Sequence, residues 1–298
     1  NYSGSVLPKL GLDYANLVEA NPELVMVSMP AFGSTGPWAE FRAYGSTVEH
    51  SSGLPHLVGD SNQPPTMQHV AFGDAVGGLN GTAAILTALW HQQRTGKGQF
   101  VDLSQVECLF PLAAQGILHQ SVTGEAPERT GNAHPEHAPY GVYPCVGDDA
   151  WVHIAVTNEE QWSTLQNQIP GLEEFSGLAD RIHRRQSLDT IIGQWTQEQT
   201  AEAVAQLLGP KGITAAKLNN GHDLLNDPQL QDREYLQWLA RDHVGLQPNA
   251  SPPFRTGEKP IPIRHPAPTL GQDNDYVLQE ILGLSAEELA ALVDQDII

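Results

Sequence analysis

An α/β fold is predicted by three features of the sequence. Residues 24–30, LVMVSMP, form a short apolar run that ends at Pro30 and opens into the glycine-rich AFGSTGPW, the pattern of a buried strand entering a loop. Ala75 to Arg94 lacks proline, is rich in Ala and Leu and is followed by TGKG, so it reads as a helix closed by a glycine C-cap. QFVDLS at 99–104 then alternates as a strand does.

Further along, a second helix is predicted over Gln105 to Gln120, before a polar, proline-bearing boundary loop at 123–141. WVHIAV at 151–156 reads as a strand and NEEQWSTLQNQI as a helix with Asn158 at its cap, with more helix at about 186–208. These elements suit a smaller α+β domain. A proline-rich return, 246–271, leads to a final helical pair in which Ser285-x-x-Glu288 forms a capping box. There is no internal repeat or low-complexity tract.

The chain has 298 residues, 40% of them hydrophobic, enough to bury a substantial core. A formal charge of −20 repels phosphate backbones and anionic membranes, so nucleic acid is not an expected partner. An anionic ligand would need a local basic pocket. Two cysteines, Cys108 and Cys145, without CxxC spacing argue against a disulfide framework and for a reduced, cytoplasmic setting. No apolar stretch reaches membrane-spanning length and no secretory leader opens the chain, so the sequon at Asn80 carries little weight.

Most candidate chemical motifs fail on spacing. AFGSTG at 31–36 lacks the lysine and spacing of a phosphate-binding loop and reads as a tight turn. HPEH at 134–137 has no third imidazole or thiolate nearby, so no metal is expected. No G-x-S-x-G elbow occurs, and neither cysteine has a motif-level histidine partner. Asp74, in VAFGDAVGGLNG, has two readings: an N-cap of the helix that follows, or a nucleophilic carboxylate made approachable by flanking small residues.

The segments NYSGSVLPKLGLDY, VSMPAFGSTGPW, AYGSTVEHSSGL, FGDAVGGLNGTAAILTALWHQQRTGKGQFVDLS, GNAHPEHAPYGVYP, LLNDPQLQDREY and APTLGQDNDYVLQEILGLS occur in that order. In this they resemble the class III coenzyme A transferases, a family that includes formyl-CoA and carnitine CoA-transferases and the 2-methylacyl-CoA racemases. The resemblance spans almost the whole chain. It implies a Rossmann-like CoA-binding domain at 1–145, an inserted small α+β domain at 146–250 and a return to the first domain at 251–298. It also implies an interlocked homodimer, with a heterodimer or a tandem chain as alternatives.

The implied activity is reversible transfer of CoA from an acyl-CoA to a carboxylic acid, with the CoA thioester as substrate and no permanently bound cofactor. Asp74 matches the family's nucleophile, and Asn1, Tyr2, Lys9, Arg42 and Tyr44 match positions at the cofactor; plain surface solvation is the alternative for Lys9 and Arg42. Tyr44 stands where the racemases carry an acid/base histidine, which disfavours the alternative of a racemase or isomerase. The retained Asp74 disfavours a non-catalytic partner subunit. Gly45 replaces a glutamate of the formyl-CoA enzyme, whose glycine-tetrad loop is absent, so formyl specificity is not implied. Glu49 and His50 follow one helical turn later, and either an acyl-pocket lining or an exposed face accounts for them. Family members carry a strand-helix-strand segment before the equivalent of Asn1, so the chain is expected to be a fragment, a partial reading frame or the carboxyl part of a larger tandem transferase.

Overall fold

The computed structural model describes residues 4–298; Asn1 and Tyr2, both expected at the cofactor, lie outside the described residues. The described chain up to Lys217 forms one compact unit and Leu218–Ile298 a second. This boundary falls elsewhere than the expected limits at 145 and 250.

The first unit begins with helices α1 (Val6–Lys9) and α2 (Tyr14–Ala20), then strand β1 (Val25–Ser28). Helices α3 (Gly45–Ser51) and α4 (Phe72–Thr95) lead to β2 (Gln99–Asp102), which pairs with β1 in parallel, Val25 opposite Gln99 and Ser28 opposite Asp102. Parallel neighbours need a crossover, and α3 and α4 lie within it. The predicted strand, helix and strand are therefore all present. Helix α4 ends as expected, at Gly96 in the left-handed region with φ 69°.

The predicted helix from 105 to 120 is not continuous. Pro111 has no N–H to donate, and the segment divides into a 3-10 turn at Glu107–Leu109 and helix α5 (Ala114–Thr123). The glycine-rich loop after β1 is a tight turn with Gly33 at φ 82°, tied to the end of β2 by Ser34, whose N–H and hydroxyl both donate to the Asp102 carboxylate.

Strands β3 (Tyr140–Pro144), β4 (Trp151–Ala155) and β5 (Thr214–Lys217) form an antiparallel sheet in that order. Between β4 and β5 run helices α6 (Glu159–Gln166), α7 (Leu178–His183), α8 (Arg185–Thr196) and α9 (Ala201–Leu208). Their cores close on the sheet through Val152, Ile154, Leu165, Leu188, Ile192 and Leu208, all fully buried. Asn158 caps α6 as expected, accepting the Gln161 N–H at 2.9 Å. Buried Arg181 lies over the Trp162 ring, pairs with Glu159 at 2.7 Å and donates to the Ala138 carbonyl.

The second unit carries helices α10 (Gly221–Leu225) and α11 (Pro228–Asp232) and the hairpin β6 (Leu236–Arg241) with β7 (Gly245–Ala250). Of the predicted final pair, the first member is a turn of wider π-type helix, Tyr276–Ile281. The second is α12 (Ala286–Asp294), whose capping box forms between Ser285 and Glu288.

Candidate active site

Asp74 is the third residue of α4, and the N-cap is Ala71, so the capping reading of this aspartate is corrected. Its carboxylate is exposed in the first helical turn, where the helix dipole favours an anion. Among the described residues no side chain pairs with it.

What lies beside it is backbone. A methyl group built on Gly45 would overlap the Asp74 carboxylate, with Cγ at 2.7 Å, and one on Gly73 would lie 2.6 Å from the Gly45 carbonyl oxygen. Contacts this close exist only because neither residue has a Cβ. Buried Gly77 and Gly81 continue the stripe, the first against Gln105 and the second against Met29. The GxxxGxxxG spacing of 73, 77 and 81 was available in the sequence as the signal of this close-packed face.

The N–H of Phe72 donates to the His69 carbonyl and that of Ala75 to Ala71. Those of Gly73 and Asp74 have no backbone acceptor among the described residues, as the first turn of a helix leaves its donors. Two N–H groups thus remain free beside the carboxylate.

The expected cofactor residues are placed unevenly. Tyr44 is the N-cap residue of α3 and is 85% exposed, directly before Gly45. Arg42 lines a groove of about 460 Å³ with Phe32, Trp38, Glu40, Phe41, Thr47 and Ser51, in which the Trp38 and Phe41 rings stack at 6.3 Å. Lys9 is exposed at the end of α1, and no hydrogen bond or ion pair among the described residues joins it to this region. Of the pair after Gly45, His50 is exposed and bonds its own helix at the Ser46 carbonyl, whereas Glu49 is wholly buried. The exposed-face reading therefore holds for His50 and is corrected for Glu49. His134 and His137 stack on one another at 4.5 Å, and their carbonyls accept from Arg185.

A parallel strand pair and a glycine-lined helix with an unpaired carboxylate in its first turn make up this region. The CoA-transferase family III model matches residues 1–274, and the chain belongs to that family, the class III CoA-transferases. A probable CoA-transferase of Mycobacterium tuberculosis is 31% identical over 99% of this chain, which spans 38% of that protein's length. Succinyl-CoA–D-citramalate CoA-transferase of Chloroflexus aurantiacus is 28% identical over 98% of the chain and 74% of its own. Among solved structures, a CAIB/BAIF family protein from Brucella suis superposes with a TM-score of 0.83 at 28% identity, covering 94% of this chain and 74% of that one.

Proposed function

We propose that this chain transfers CoA reversibly between an acyl-CoA and a carboxylic acid, with Asp74 as the nucleophile. The observation that carries the reading is the exposed, unpaired Asp74 carboxylate seated over Gly45. An Asp74 oxygen attacks the thioester carbonyl and expels CoA as thiolate, leaving a mixed anhydride. The thiolate attacks the aspartyl carbonyl, and the donor acid leaves. The acceptor carboxylate then attacks the aspartyl-CoA thioester, releasing the thiolate and forming a second anhydride. Attack of the thiolate on the acceptor's acyl carbon yields the new CoA ester and restores Asp74. Division into such steps is what covalent catalysis contributes.

The free N–H groups of Gly73 and Asp74 are the donors closest in the chain to the oxyanions that form, and such donors stabilise a tetrahedral centre. Arg42 and the aromatic groove beside it supply a cation and stacking faces for the nucleotide end of CoA. A dicarboxylic acyl group fits the reading best, because the Chloroflexus relative is named for succinyl-CoA and D-citramalate. We infer a homodimer in which a second copy covers exposed apolar residues of α4 and α5, among them Leu79, Trp90, Leu118 and Val122. No helix among the described residues is long and apolar enough to cross a membrane. The reduced, cytoplasmic setting we propose rests on the two cysteines, which lack CxxC spacing.

The test is hydroxylamine trapping during turnover with succinyl-CoA and a panel of carboxylic acids. Asp74 becomes the hydroxamate, and Asp74→Ala loses transfer while its thermal unfolding is little changed. Label on another residue, or transfer by Asp74→Ala, overturns the assignment.

A further inference from the structure

The later part of the segment joining α3 to α4, residues 58–71, is tied down at two places. Arg129 donates to the carbonyls of Asp60 (3.1 Å) and Gln63 (2.5 Å), and Asp60 forms an antiparallel bridge with Thr130. Nearer α4, the backbone N–H of Gln68 donates to Oε1 of Glu49. Glu49 is 0% exposed, and its Oε2 is buried without a hydrogen-bond partner. Burying a carboxyl in this way costs stability that a well-packed apolar residue would not cost. What the carboxyl provides is a fixed acceptor.

That acceptor reaches the candidate nucleophile by two short routes. From Gln68 the chain runs through His69, whose ring Nδ1 accepts the Ala71 N–H at 3.2 Å and whose carbonyl accepts the Phe72 N–H at 3.0 Å, into the first turn of α4. From Glu49 back along α3, one turn leads to Gly45, against which Gly73 and the Asp74 carboxylate pack. One buried side chain therefore links the start of α4 to the helix that faces it.

We propose that Glu49 is the positioning residue for Asp74: by holding the Gln68 N–H from within α3, it fixes where the first turn of α4 presents its carboxylate. This rests on the reading of Asp74 as nucleophile. Displacing a reacting group by about 1 Å costs about a hundredfold in rate, so loss of the anchor should appear in kcat.

The experiment compares Glu49→Leu, which removes the acceptor at similar volume, with Glu49→Gln, which keeps an oxygen at that place. Gln68→Pro removes the donor from the exposed side and serves if Glu49→Leu does not fold. Hydrogen exchange at residues 66–76 is read first, because it needs no substrate. Exchange there should accelerate in Glu49→Leu and Gln68→Pro but not in Glu49→Gln, with residues 150–210 unaffected in all three. Turnover with succinyl-CoA and the same panel of carboxylic acids should then show a fall in kcat of about a hundredfold, little change in KM, and recovery in Glu49→Gln. Unchanged exchange at 66–76 overturns the proposal, as does faster exchange with wild-type kcat. A fall that Glu49→Gln does not reverse shows that an oxygen acceptor at that place is not sufficient, and overturns it too. Asp74→Ala is assayed in parallel: if it retains turnover, the nucleophile reading fails, and that result is distinct from any result at Glu49.

Discussion

Residues 138–217 and the region around Asp74 belong to one compact unit but are built on different principles. The first has a closed core of seventeen buried apolar residues, helices capped by Asn158 and Thr200, and a buried arginine satisfied on several sides. The second centres on three, Val48, Val106 and Leu109, with partly buried neighbours such as Phe32 and Phe72. Its helices meet through glycines, and α4 leaves Leu79, Leu86 and Trp90 more than half exposed. Apolar burial is the main stabilising term in folding, so stability should concentrate in 138–217. Close backbone approach is what the Asp74 region has instead, and it leaves the carboxylate exposed in the first turn of α4.

The sharpest way to break this contrast is to add bulk beneath Asp74. Gly45→Ala places a methyl group against the Asp74 carboxylate, and turnover should fall by about a hundredfold or more while the unfolding of 138–217 is unchanged. Hydrogen exchange and kcat read together decide it; near-normal activity would mean that Asp74 does not depend on that contact.

Stability should respond in the opposite place. Leu165→Ala, in the closed core, should cost about 2–5 kcal/mol in chemical denaturation with kcat per folded molecule preserved. Leu79→Ala, on the exposed face of α4, should stay within about 0.5 kcal/mol when measured on the isolated chain. Equal costs at the two sites would remove the distinction between the regions.

The smallest expected effect is a pH dependence at the helices of 138–217. Arg184, bonded to Asp180 at 2.8 Å, and the Ser176 N–H hold the Asp180 carboxyl well below the ordinary carboxylate range, and Arg181 lowers Glu159 likewise. A depressed folded value means stability that is complete above the unfolded value, about pH 4, and lost as pH falls through the folded values. Asp189 works the other way: desolvation raises it, so its ionisation opposes folding and its protonation on acidification offsets part of the loss. Thermal melts should therefore show Asp180→Asn less sensitive to acid than the native chain, and Asp189→Asn more sensitive. Parallel curves for all three would show that these groups do not shape acid stability.

The residues decided locally are those the sequence made legible. The glycine stop of α4, the Asn158 cap and the Ser285–Glu288 box depend on groups a few residues apart, so their partners lie within the motif itself. The split at Pro111 was equally local: the ring removes a donor wherever it stands, and the unbroken helix predicted over Gln105 to Gln120 overlooked it. Membership of the family was likewise carried by ordered motifs along the chain. The surroundings of Asp74 were not. That Ala71 takes the cap, that Gly45 underlies the carboxylate, and that Glu49 is buried while its neighbour His50 is exposed all follow from how α3 packs on α4. A helix presents adjacent residues in directions about 100° apart, and only the neighbour packed against it determines which direction is inside.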